Sequence, residues 1–229
     1  MSTEGRLRWA IFSTSVVSAI DNPDAYLWRA LGTRLRQMGH EAIFFEPRGN
    51  DAVRALLHRS GSAALTEFRV RHADIEYRTF EPRTGADLVE WMTRTLATVD
   101  VAVIQASAAA ELVKWLAKLT RPHLRTFYVD TGWNEMEPPG VQTGESLTGF
   151  TAIVAGSAQR ATLYAACAPA SHVLSFGSLP RVDNVEIPLP AITLELVTAC
   201  QWLIEVVCAD HAKATAERRA RVSPNGHLT

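Results

Sequence analysis

The chain lacks the glycines that a phosphate-binding loop needs. Between Phe12 and Leu31 it reads "FSTSVVSAIDNPDAYLWRAL", a strand, a small-residue loop and a helix with no glycine among them. No G-x-G-x-x-G follows that strand, and G-x-x-x-x-G-K-[ST] occurs nowhere in the 229 residues. Both motifs work because glycine lets backbone N–H groups close on a phosphate, so dinucleotide and P-loop readings lose their physical basis. G-x-S-x-G is missing too, which removes the nucleophile elbow. The seven histidines show neither H-x-x-x-H spacing nor cysteine partners, and neither a metal nor a cofactor is expected. "DTG" at Asp130–Gly132 is the triplet of aspartic proteases, but that chemistry needs paired carboxylates in a β-rich fold.

Charge of one sign is also lacking. Lys and Arg number 23 against 24 Asp and Glu, a formal net charge of −1. With no positive excess to attract phosphate backbones, no nucleic-acid partner is expected. The most apolar stretches, "VAVIQASAAAELV" and "LELVTACQWLIEVVC", fall short of the ~20 residues of a membrane helix, so no membrane span is expected. "MSTEGRLRW" has no apolar signal core, which makes a cytoplasmic location the expectation. Of the three cysteines, Cys200 and Cys208 fall two turns apart on one helix and Cys167 stands alone, so all three read as small core residues.

What is present is alternation. Short β-branched or aromatic runs mark strands at Arg8–Thr14, Glu41–Glu46, Ile75–Phe80, Val101–Gln105, Arg125–Asp130, Thr151–Gly156 and Ser171–Gly177. Several are almost continuously apolar, as strands covered on both faces are. Helical spacing separates them. A helix capped by Asn22 or Asp24 runs to Met38, with Tyr26, Ala30, Leu31, Leu35 and Met38 on one face and Gly39 at its stop. Others cover Asp51–Ser60, Gly85–Thr98, Ala108–Leu119 and Ala158–Ala168. The expectation is an α/β fold: a doubly wound, mostly parallel Rossmann-like sheet of about six or seven strands with a long C-terminal helix. Residues 1–185 form the Rossmann-like domain, and 186–229 a linker, a helix and a fraying tail. That helix lines Ile192, Leu196, Cys200, Leu203 and Val207 along one face, which packs on the domain or on a twin subunit.

In such a sheet, ligands gather outside the carboxyl ends of the strands. The candidate binding residues are therefore Ser13, Thr14 and Ser15 after the first strand, with Asp21 and Asn22 at the mouth of the helix. Gln105 and Ser107 follow the fourth run, Thr131 and Trp133 the fifth, Ser157 the sixth and Gly177 the last. Their hydroxyls, amides and helix-start N–H groups suit a sugar or phosphate, and equally suit caps and turns. Asp130, at the end of "RTFYVD", is the candidate catalytic residue, binding a hydroxyl or acting as a base. The alternative is a cap on the following loop through Thr131 or Gly132. His40 and His123 read as surface residues.

The opening unit "RWAIFSTSVVSAIDNPDAYLWRALGTRLRQMGHEAIFFEP" resembles the start of GT-B glycosyltransferases, especially the CgeB-like group. The shared features are Tyr26–Leu31, Gly39–His40 and Phe44–Glu46. "LRTFYVDTGWN", "FTAIVAGSAQRATLY" and "SHVLSFGSLPRVD" resemble later parts of the same half, so the likeness covers about residues 8 to 183. It implies an acceptor-side domain that binds a sugar or glycosylated acceptor. The donor-binding half of such enzymes has no counterpart in this sequence, so catalysis would need a separate donor-binding subunit. Two other readings remain: a non-catalytic small-molecule-binding or regulatory domain, and a structural homodimer.

Overall fold

The computed structural model describes residues 6–20, 22–119, 121–131, 147–168, 172–175, 201, 203–209 and 211–217. Its elements alternate in the order β1 (Arg8–Phe12), α1 (Asp24–Gln37), β2 (Glu41–Pro47), α2 (Asp51–Ser60), α3 (Ala63–Arg71), β3 (Glu76–Phe80), α4 (Gly85–Thr95), β4 (Val101–Gln105), α5 (Ala110–Lys118), β5 (Arg125–Asp130), β6 (Ala152–Ala155), α6 (Ala158–Cys167) and β7 (His172–Ser175). Further helical backbone occupies 203–209 and 211–217. The seven strands form one sheet in the order β3-β2-β1-β4-β5-β6-β7, and every neighbouring pair is parallel. The expected Rossmann-like α/β class is what the chain adopts.

Alternation along each strand divides the core into two layers. Trp9, Ile11, Val101, Val103, Phe127 and Val129 point to one face, where Trp28, Leu31 and Leu35 of α1 join them. Ala10, Phe12, Ala102, Ile104 and Tyr128 point to the other, which Leu88 and Met92 of α4 and Leu112 and Leu116 of α5 cover. Right-handed crossovers produce this division, because the chain runs outward to β3, returns to β4 and then winds the opposite way. Over the β5 and β6 part of the first face, Leu203, Ile204 and Val207 share the core with Val129, Ala152 and Val154.

His40 departs from the surface role expected of it. It is buried, and its Nδ1 accepts the N–H of Leu7 at 3.1 Å. The proton therefore sits on Nε2, which faces Cys208 Sγ at 3.8 Å. Arg34 Nε adds a second tie to the C-terminal helical segment, donating to Gln201 Oε1 at 2.9 Å.

Three local expectations need correction. The face of α1 that packs inward comprises Ala25, Leu27, Trp28, Leu31, Gly32 and Leu35, while Tyr26 and Met38 are 40% and 39% exposed. Helix α3 has no counterpart in the sequence reading: its apolar residues share no single face, and only Phe68 is buried while Val70 is 77% exposed. Cys208 is half-buried and packs against the core as expected, Cys167 is half-buried outside it, and Cys200 lies outside the described residues. Gly39, as expected, ends α1 with a φ of 84°, a left-handed conformation that glycine adopts without strain. Among the described residues, no helix is long and apolar enough to cross a membrane.

Candidate functional site

The sheet order reverses between β1 and β4, which puts their carboxyl ends at the place where open α/β sheets form a crevice. Ser13–Ser15 leave β1 there, and Gln105 ends β4 beside them. Gln105 is 3% exposed and holds three elements together. Its Oε1 accepts the backbone N–H of Thr14 at 2.9 Å and the indole Nε1–H of Trp28 at 3.0 Å. Its Nε2 donates to Asp24 Oδ2 at 2.6 Å. The other carboxylate oxygen of Asp24 accepts from Thr131 Oγ1 at 2.6 Å, drawing in the end of β5.

Asp24 is thus the hub of a buried polar network. The sequence reading treats it, or Asn22, as a cap. In the structure Pro23 occupies the N-cap position with no side-chain capping bond, and Asp24 is the first residue of α1. Asn22 instead donates from Nδ2 to the carbonyls of Ser15 and Ser18 at 2.8 and 3.1 Å, pinning the loop that leaves β1. Burial pushes the pKa of Asp24 from 3.8 to about 6, with the bonds from Thr131 and Gln105 working against that rise.

The glycine-free loop closes on an internal anion. Glu46, at the end of β2, is 1% exposed, and its Oε2 accepts the N–H of Val16 at 2.9 Å. Ser15 and Val17 also bond to it, although desolvation outweighs these bonds and raises its pKa. Arg29 of α1 fastens the loop from the other side, donating from Nε and Nη2 to the carbonyls of Val16 and Val17 at 2.8 and 2.7 Å. In dinucleotide-binding folds, an acid near this point reaches a ribose hydroxyl; here the loop itself consumes it.

Asp130 ends β5 and is 5% exposed. Its Oδ2 accepts from Arg160 Nη1 at 2.6 Å and from the Tyr164 hydroxyl at 2.5 Å, both on α6. Its carboxylate is therefore directed to α6. Burial raises the pKa of Tyr164, and pushes that of neighbouring Tyr128 up to about 12, so both phenols stay protonated at neutral pH. Ser157 caps α6 by accepting the N–H of Arg160 at 3.2 Å. Gly156 is required beside it, because a Cβ there would lie 2.0 Å from the carbonyl oxygen of Thr131.

Two hydroxyls stand at the rim. Thr14 Oγ1 and the exposed Ser107 hydroxyl are 2.8 Å apart, one after β1 and one after β4. The Ser13 hydroxyl is buried and has no hydrogen-bond partner among the described residues. The structure thus brings Ser13, Thr14, Ser15, Gln105, Ser107, Asp130, Thr131 and Ser157 to one end of the sheet, while Asp21, Trp133 and Gly177 lie outside the described residues. Asp24, Trp28, Glu46, Arg160 and Tyr164 were not foreseen as members of the site. An acid closing the second strand in "FFEP" was the signal available for Glu46. Among the described residues, no group of three or more His, Cys, Asp or Glu is placed to hold a metal ion.

No protein-family model matches the chain. No curated protein matches it either. Among solved structures, two similar ones are of an alpha-glucosyltransferase in complex with UDP and a 13-mer DNA containing a HMU base. They share 15% and 14% identity with this chain, cover 75% of it and superpose with TM-scores of 0.48 and 0.49. This chain spans 42% of the length of each. No residue role or ligand is carried across at that level of likeness. The exclusion of nucleic acid nonetheless does not stand, since these similar structures are DNA complexes. Net charge sums the whole surface and is blind to where cations cluster.

Proposed function

We propose that this chain is a glycosyltransferase-like domain that binds a sugar or glycosylated acceptor at the carboxyl ends of β1, β4 and β5. The observation that carries this is the Thr14–Ser107 hydroxyl pair, held across the reversal in sheet order above the buried Asp24–Gln105–Thr131 network. Paired hydroxyls at fixed spacing exchange hydrogen bonds with the vicinal hydroxyls of a sugar, and a rigid floor lowers the cost of ordering them. The sequence resemblance to acceptor-side halves of GT-B enzymes supports the same reading. In it, Asp130 is a positioning residue that acts through Arg160, keeping a cation at the end of β5.

Thermal denaturation with methyl glycosides and nucleotide sugars tests this, with a short duplex DNA as a further probe. A ligand that binds only the folded state raises the melting temperature by linkage. A sugar-dependent rise is expected in the native chain and lost when Thr14→Ala and Ser107→Ala are combined. No rise with any sugar at millimolar concentration overturns the proposal.

A further inference from the structure

A cavity of about 510 Å³ opens on the far side of the loop that leaves β1, between that loop, α1, α2 and α3. Its wall carries Arg29, Arg59 and Arg71, against which the only lining carboxylate among the described residues is Glu67. Glu67 is paired with Arg71, one turn along α3. Arg59, in the last turn of α2, has no ion-pair partner among the described residues. In a chain whose formal net charge is −1, this is a local excess of cations.

Arg29 gives that charge a fixed position. Two of its nitrogens hold the carbonyls of Val16 and Val17, and its guanidinium carbon lies 5.7 Å from the Tyr26 ring centre and 5.2 Å from that of Phe68. An Arg already immobilised between rings loses little freedom when it meets an anion. Tyr26 is 40% exposed beside it, so its ring is open to a flat partner. His72 lines the same cavity and its ring lies 5.0 Å from Phe68. Burial lowers the pKa of His72, so it adds an uncharged donor or acceptor and no further cation at neutral pH.

We infer that this cavity binds a small ligand in which a phosphate or carboxylate is attached to a flat ring, the anion facing Arg59 and Arg71 and the ring lying on Tyr26. The site is separate from the hydroxyl pair of Thr14 and Ser107, and the loop from Val16 to Ile20 is the wall between the two.

Calorimetric titration of the full chain with phenyl phosphate, benzoate, inorganic phosphate and benzyl alcohol tests the assignment. Phenyl phosphate or benzoate should bind at least about fivefold tighter than inorganic phosphate, with benzyl alcohol weakest, and added salt should weaken the charged probes. The Arg59→Gln variant, at an exposed position where the fold is not at risk, should lose about tenfold in affinity. Tyr26→Ala should remove the advantage of the ring. Combined Thr14→Ala and Ser107→Ala should leave phenyl phosphate binding intact, which separates this site from the sugar site. Absence of binding by both ring-bearing anions at about 20 mM overturns the inference. So does binding that survives Arg59→Gln unchanged, or that disappears with the Thr14 and Ser107 substitutions.

Discussion

The carboxylate of Glu46 lies 2.9 Å from the backbone nitrogen of Val16, underneath the first loop of the sheet. A loop built around a bound pyrophosphate needs glycine so that its N–H groups can approach an external anion. This loop closes around a carboxylate delivered by its own neighbouring strand, and larger residues are compatible with it. Glu46→Ala leaves the Val16 N–H without its acceptor in a buried place, at a cost of about 1–3 kcal/mol before any cavity term. Urea unfolding should show that loss, with Glu46→Gln recovering most of it through its remaining carbonyl. Equal stability of the Ala variant and the native chain contradicts this account of the loop.

Asp24 should make stability depend on pH in a specific direction. Its folded pKa of about 6 lies above its ordinary 3.8, so the folded state takes up a proton more readily than the unfolded chain. The favourable contribution is complete below about pH 4 and disappears as pH rises through about 6, a swing of about 3 kcal/mol. The difference in unfolding free energy between the native chain and Asp24→Asn should therefore fall over that interval. A pH-independent difference between the two contradicts the proposed burial of a charged hub.

His40 acts in the opposite sense. Burial holds its pKa below 6.5, so stability is present above that value and declines as pH falls through it. Protonation at Nδ1 must break the bond from Leu7 and disturb the contact with Cys208. Amide-exchange protection factors at 203–209, taken relative to the intrinsic rate at each pH, should fall between pH 7.5 and pH 5 ahead of those in β4. A uniform loss of protection in both contradicts a local release.

Gly156→Ala should cost about 3 kcal/mol, since the added methyl meets backbone that has no rotamer to move. Because the clash is with Thr131, the variant should also lose part of the pH 4 to 6 response of Asp24. Thermal unfolding at pH 4.5 and 7 measures both effects together, and an unchanged melting temperature rules out the tight approach.

The sheet was legible in runs such as "VAVIQ" and "RTFYVD", whose unbroken apolar character reflects cover on both faces. All seven expected strands are present, with ends shifted by a residue or two. The hydroxyl-bearing strand ends were legible as well, because parallel topology alone places them together. The polar network was not. Asp24 meets Gln105 across 81 positions of sequence, and Glu46 and Asp130 reach their partners across 30. Such pairs leave no local periodicity, and a carboxylate in the first turn of a helix looks the same whether it caps the helix or crosses to another strand. Helix α3 was lost for a related reason: without a consistent buried face it carries no helical pattern to read.

Backbone amide NMR during titration with a methyl glycoside tests the central claim most directly. The account predicts saturable shifts centred on Ser13, Thr14, Ser107 and Thr131, with smaller changes at Arg160, and their loss when Thr14→Ala and Ser107→Ala are combined. Saturable shifts that leave these residues unmoved, or no shifts at all, would contradict a sugar site at the carboxyl ends of the strands.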